Sequence, residues 1–249
     1  MPVTTEARSR VLLIRLDRDA KLNAMDHDMT LGLDAAMNWL EDDAELWAGV
    51  LTGNGRAFSA GSDLADPDRN STERGGPYGL IRRERRKPLI AAVDGLAFGG
   101  GFEMVLACDL VVASRRARFA LPEVKRGLLA LYGGVFRGAR ALPLNLAREM
   151  VLTGEPIGAE RAHALGLVNQ LCDEGAALDA ALALAAAICA NSPVAVRESL
   201  RVINQSLEAG DALAWQLSAE AAANVRASED SREGIAAFLE KRAPRWRGC

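Results

Sequence analysis

Three consecutive glycines, Gly99, Gly100 and Gly101, stand where a short apolar run gives way to a helix in LAFGGGFEMVLACD, residues 96–109. A chain that removes side chains from three successive residues at such a junction has a close approach to accommodate. Either a ligand comes within hydrogen-bonding distance of the backbone, or the helix packs tightly on a neighbour. The first amides of a helix lack intrahelical acceptors and lie at the positive end of its dipole, so the junction favours negative charge. Glu103, two residues past the last glycine, adds a carboxylate to an otherwise apolar turn. The glycines do not follow G-x-G-x-x-G and no Gly-Lys-Ser/Thr succeeds them, so neither a dinucleotide fingerprint nor a phosphate loop is indicated.

The surrounding pattern is α/β. RVLLIRLDR and WAGVLTGNG read as strands, and DMTLGLDAAMNWLEDD between them places Met29, Leu33, Met37 and Leu40 at helical spacing. KPLIAAVDG, DLVVAS and ARFALPE read as further short strands, joined by crossovers that favour a largely parallel sheet. From Leu142 onward the chain is mostly helical. Residues 1–190 are therefore expected to form an α/β core and residues 191–249 a C-terminal helical region. ALDAALALAAAICA is apolar, but it carries Asp179 and falls short of the ~18–20 residues a membrane span requires, so a packed helix is expected. Residues 65–79 are polar and rich in Gly and Pro, a loop of a length more often functional than idle.

Charge and composition narrow the function. A net charge of −3 argues against a dedicated nucleic-acid binder. The local run RRERRK, Arg82 to Lys87, reads as a solvated helix face, with attraction of a phosphorylated ligand as the alternative. Cys108, Cys172, Cys189 and Cys249 form no CxxC pair, and the expectation is reduced thiols in a cytoplasmic protein. His27 and His163 lack ligand spacing, so no metal site is expected. The apolar run before Arg15 is too short for the core of a signal peptide.

Two further stretches carry chemistry. GRAFSAGSDL, residues 55–64, is a second turn of small residues at the end of a predicted buried strand. Two such turns can aim one N–H each at a single oxygen, the arrangement that stabilises an enolate or oxyanion. Ser59 and Ser62 could instead be nucleophiles, but neither histidine lies in a recognisable partner motif. FALPEVKRG, residues 119–127, sets Glu123 after Pro122 in a turn. Glu103 and Glu123 flank the paired strands between them, and two carboxyls in one apolar pocket titrate apart, one acid and one base. Each taken singly is more often a surface residue than a catalytic one.

In order along the chain, GRAFSAGSDL, KPLIAAVDGLAFGGGFEMVLACDL, ARFALPEVKRG, MVLTGEPIGAERAHALGLVN and SREGIAAFLEKR resemble the successive motifs of the enoyl-CoA hydratase/isomerase (crotonase) superfamily. The resemblance implies a spiral of ββα units whose C-terminal helices form a homotrimer or homohexamer. It implies an acyl-CoA substrate, with no cofactor beyond the CoA thioester itself. By position, the oxyanion-hole amides correspond to Ser62 and Gly100. Glu103 and Glu123 match the glutamate pair of enoyl-CoA hydratases, in which Glu103 would activate the water and Glu123 would protonate Cα. Ala60, Ser62, Asp63 and Leu64 match a CoA-binding wall, and Lys21 and Leu22 align near the adenine side. Phe238 and Lys241 match C-terminal residues that touch CoA.

The match has departures. Ala130 and Leu131 stand where the family commonly has proline and often an acid, although Gly133, Gly134 and Arg137 are kept, so Leu131 and Tyr132 are expected to reshape the acyl pocket. Asp19 replaces a common proline. The reading is a hydratase of trans-2-enoyl-CoA. Its rivals are an isomerase or a carnitinyl-CoA-type dehydratase, a non-catalytic acyl-CoA binder, and a serine hydrolase.

Overall fold

The structure is a computed structural model that describes residues 2–66, 70–208, 215–216, 219, 222–223 and 225–245. The chain runs β1 (Val3–Arg8), β2 (Val11–Leu16), α1 (His27–Asp42), β3 (Ala48–Gly53), β4 (Ala57–Ser59), β5 (Ser71–Thr72), β6 (Gly76–Pro77), β7 (Leu89–Val93), β8 (Leu96–Phe98) and α2 (Gly100–Ala107). It continues through β9 (Leu110–Ser114), β10 (Arg118–Ala120), a 3-10 turn (Pro122–Arg126), α3 (Gly134–Ala141), α4 (Leu144–Thr153), β11 (Ile157–Gly158) and α5 (Ala159–Ala164). Next come β12 (Gln170–Cys172), α6 (Ala177–Cys189), α7 (Pro193–Glu208) and α8 (Glu229–Leu239).

The strands sort into two layers by a repeated rule. β3, β7 and β9 enter a six-stranded sheet of order β1-β2-β3-β7-β9-β12, parallel except at β1–β2. The strand after each of them, β4, β8 and β10 respectively, enters a four-stranded sheet of order β11-β10-β8-β4. Each ββ pair therefore steps sideways by one strand in both sheets, which is the expected α/β spiral of ββα units. The repeat lies in the backbone path, and no matching repeat is visible in the residues.

Both faces of the large sheet are covered over its inner strands, so β2, β3, β7 and β9 read as largely apolar runs while the edge strand β1 is mostly exposed. In β2, Leu12, Ile14 and Leu16 face the main core with Met29, Leu33, Met37 and Leu40 of α1. Val11 and Leu13 face the other way, with Val50, Ile90 and Val112. That outer face is closed by α6 through Ala181 and Ala185, so the alanine-rich segment is a packed helix as expected. No single described helix is long and apolar enough to cross a membrane.

The basic run RRERRK is neither helical nor solvated throughout, contrary to the sequence reading. It forms the turn before β7, where the carbonyl end of α1 and two carboxylates draw the cations inward. Arg83, its side chain 1% exposed, binds Asp34 at 2.5 Å. Arg85 holds Asp109 through two bonds of 2.5 and 2.9 Å. The Lys87 ammonium donates to the carbonyls of Leu40 and Asp43 at 2.7 and 2.6 Å, closing the C-terminus of α1. Only part of the run, Arg82 among it, faces outward.

Candidate active site

Three neighbouring parallel strands of the small sheet, β4, β8 and β10, deliver the expected residues at their carboxyl ends. Ser62 lies three residues past β4, Gly100 and Glu103 follow β8, and Glu123 follows β10. The Gly99 N–H donates to Ala120 O at 2.9 Å, tying the glycine turn to the strand that carries Glu123. Gly99 has φ +55°, a conformation that favours glycine, and a Cβ there would lie 3.1 Å from Glu123 Oε1. A Cβ on Gly100 would collide with the Tyr78 hydroxyl, and one on Gly101 with the Ser59 carbonyl oxygen. The three glycines therefore each make room for a different group. Helix packing explains Gly101; the other two open onto the site.

The two candidate main-chain donors lie on adjoining turns. Met25 bridges the Ser62 segment, its N–H donating to Gly61 O at 2.7 Å and its carbonyl accepting from the Asp63 N–H at 2.9 Å. In such a parallel bridge the N–H of the middle residue, Ser62, points to the opposite side. Gly100 opens α2, so its N–H has no acceptor within the helix. A Cβ built on Gly61 would come 2.7 Å from the Gly100 nitrogen, which sets the two turns side by side.

Glu103 is buried. Its Oε1 accepts the N–H groups of Tyr132 at 2.7 Å and Gly134 at 2.9 Å. Glu123 Oε2 is buried with no hydrogen-bond partner. Burial raises the proton affinity of Glu103 well above the carboxylate norm, and the charge of Glu123 adds to it, against the two N–H bonds and Arg137. Burial likewise raises Glu123, opposed by Arg126. The carboxyls are thus an interacting pair beside two N–H donors.

The structure also brings in Tyr78, which the motifs did not single out, and places Tyr132 and Arg137, which they did. Tyr78, in the 65–79 stretch, is fully buried, and its hydroxyl lies 2.6 Å from Ser62 Oγ. Burial holds its phenol well above the usual range, with the charges of Glu103 and Glu123 adding to the shift. Tyr132 packs edge-on against it, ring centroids 5.1 Å apart. The only sequence signal for Tyr78 is its place after the turn residues GGP. Arg137 donates to Ile81 O at 3.0 Å, and burial lowers its pKa to about 10.

The remaining expected residues divide in two. Leu22, Ala60 and Asp63 join in one strip, where the Ala60 N–H donates to Leu22 O at 2.9 Å. Exposed Lys21 ends the turn before Leu22, and half-exposed Leu64 follows Asp63. The Asp63 carboxylate is held by Arg18 at 2.8 Å. Phe238 lies on α8 beneath the Arg126 guanidinium, 4.5 Å from its ring centre, with Lys241 exposed just beyond. The nucleophile reading of the serines finds no support. Ser59 Oγ donates to Asn23 O at 2.8 Å, and Ser62 Oγ pairs with a phenol rather than a base.

The family model for enoyl-CoA hydratase/isomerase matches residues 6–249. The chain belongs to the enoyl-CoA hydratase/isomerase (crotonase) family. It is 39% identical to the 2,3-dehydroadipyl-CoA hydratase of Escherichia coli over 97% of this chain and 96% of that protein. Its identity to the mevalonyl-coenzyme A hydratase of Aspergillus fumigatus is 37%, over 95% and 91% of the two chains. The solved carnitinyl-CoA hydratase of Mycobacterium avium superposes with a TM-score of 0.94 at 39% identity, over 100% of this chain and 99% of that one. Hydratase and dehydratase chemistry on CoA thioesters is thus the common ground of this crotonase, while the acyl groups in those names differ.

Proposed function

We propose that this crotonase adds water reversibly to a trans-2-enoyl-CoA, giving the 3-hydroxyacyl-CoA. The observation that carries the reading is the buried carboxyl pair, Glu103 and Glu123, set past adjacent strands beside the turns that carry Ser62 and Gly100. Two N–H bonds favour the charged form of Glu103, which suits it to take a proton from the attacking water. We assign proton donation to Glu123, whose Oε2 is buried without a partner. Burial raises both carboxyls, Glu103 to about 8 and Glu123 to about 7, so the pair holds its proton jointly and Glu103 acts as base when Glu123 carries it.

In the forward direction the water oxygen bonds to Cβ and its proton passes to Glu103. The electrons of the double bond move onto the thioester, where the N–H groups of Ser62 and Gly100 receive the enolate. Glu123 then protonates Cα, and a proton returns from Glu103 to Glu123 before the next cycle. An oxyanion donor is typically worth ~10²–10³ in rate. A placed acid or base contributes ~10²–10⁴.

A second reading is favoured by the likeness to the Mycobacterium avium protein and by the perpendicular Tyr78 and Tyr132 rings. It is dehydration of a 3-hydroxyacyl-CoA bearing a quaternary ammonium, a cation that aromatic faces suit. A turnover screen decides: loss of crotonyl-CoA absorbance supports the hydratase, turnover of a 3-enoyl-CoA alone supports an isomerase, and turnover of carnitinyl-CoA alone supports the dehydratase. We also assign the expected trimer to the C-terminal helices, since α7 exposes Val194, Val202 and Ile203, each more than half accessible.

A further inference from the structure

Beyond the carboxyl pair, a surface pocket of about 480 Å³ has Leu131, Tyr132, Arg82 and Arg226 in its lining. Tyr132 belongs to both places. Its N–H holds Glu103 at 2.7 Å, and its ring meets Tyr78, while its phenol feels the charges of Arg226 and Arg82. An acyl chain reaching outward from the carboxyls past the Tyr132 ring would enter this pocket.

The charges at its wall are uneven. Arg74 is neutralised by Asp42 through two bonds of 2.6 Å. Arg82 is not paired with a carboxylate among the described residues; its guanidinium lies 4.1 Å from the ring centre of Trp215, which fixes it in place. Arg226 donates Nε to Ala222 O at 3.3 Å, and it too has no carboxylate partner among the described residues. Glu73 also lines the pocket, so one carboxylate stands in the same lining as two guanidiniums that have no carboxylate partner among the described residues. Leu131 gives the entrance an apolar side. A mostly polar pocket that adjoins the Tyr132 ring and carries two guanidiniums without a carboxylate partner among the described residues suits an acyl chain that ends in an anion, because the planar fork of arginine binds carboxylate through paired hydrogen bonds.

We propose that this pocket receives the far end of the acyl group, and that the preferred substrates are acyl-CoA thioesters whose acyl chain terminates in a carboxylate. The assignment rests on the hydratase reading for where the acyl chain starts, and on Arg82 and Arg226 for where it ends.

The test compares 2-enoyl-CoAs of increasing length, each with a methyl or a carboxylate terminus, in the full-length enzyme. At one length the carboxylate series is expected to exceed the methyl series in kcat/KM. Arg82→Leu and Arg226→Leu should each lower that ratio by roughly tenfold, the usual scale for a hydrogen bond to a charged group. Arg226→Lys should restore part of it. A methyl series equal or superior at every length, or a ratio unmoved in the double leucine variant, overturns the proposal. If no 2-enoyl-CoA is turned over, the hydratase reading fails separately. Calorimetric affinities of the saturated ω-carboxyacyl-CoA and acyl-CoA then decide this one, with equal affinities counting against it.

Discussion

At the scale of single residues, Glu123 stands out because one of its oxygens is buried and has nothing to bond. Glu123→Gln keeps the shape of the side chain and removes the proton it would give, so kcat should fall by ~10²–10⁴ while acyl-CoA affinity stays within a few-fold. Steady-state kinetics and calorimetry on the same preparation check this. The raised proton affinities carry a second consequence. A carboxyl that binds protons more readily folded than unfolded stabilises the fold most at low pH. That contribution is lost as pH climbs from the ordinary carboxylate value, ~4.3, through the raised one. Glu103→Gln abolishes the titration, yet its amide oxygen can still accept the N–H groups of Tyr132 and Gly134. The melting temperature of Glu103→Gln relative to the parent should therefore rise between about pH 5 and about pH 8. A difference that is flat with pH would contradict the raised affinity of Glu103.

At the scale of elements, the site depends on which strand ends lie beside one another. β4, β8 and β10 are far apart in sequence but adjacent and parallel, so the turns that follow them open at the same edge. The 3-10 turn bearing Glu123 is braced from outside by α8, where Gly234 packs directly on Arg126 O and Phe238 lies beneath the Arg126 side chain. Gly234→Ala pushes a methyl group into that carbonyl, so helix or turn must shift. We expect a melting temperature lower by several degrees and a drop in kcat larger than any rise in KM, because the displaced group is an acid. Gly166→Ala tests backbone strain alone, since a Cβ at that glycine meets nothing within 4 Å although φ is +83°. Equal kcat loss in both variants would separate α8 from the placing of Glu123.

At the scale of the whole molecule, the apolar face left open on α7 predicts association. Val202→Asp should convert the assembled protein to a smaller species in sedimentation velocity, and an unchanged sedimentation coefficient would exclude that face. Much of the molecule was legible in its residues. The period of Met29, Leu33, Met37 and Leu40 announced α1, and the glycine runs with two glutamates picked out residues that the structure gathers past neighbouring strand ends. Tyr78 was not legible, since nothing local shows that a residue in a polar loop will turn inward to meet Ser62. RRERRK misled for a related reason: the carboxylates that bury its cations, Asp34 and Asp109, are distant in sequence. Tyr132 illustrates what such an architecture permits. It steadies Glu103 with its amide and walls the outer pocket with its ring, so any side chain except proline preserves the first role while altering the second. On the proposed reading, exchanges at position 132 alter which acyl groups fit while the amide that holds Glu103 stays in place.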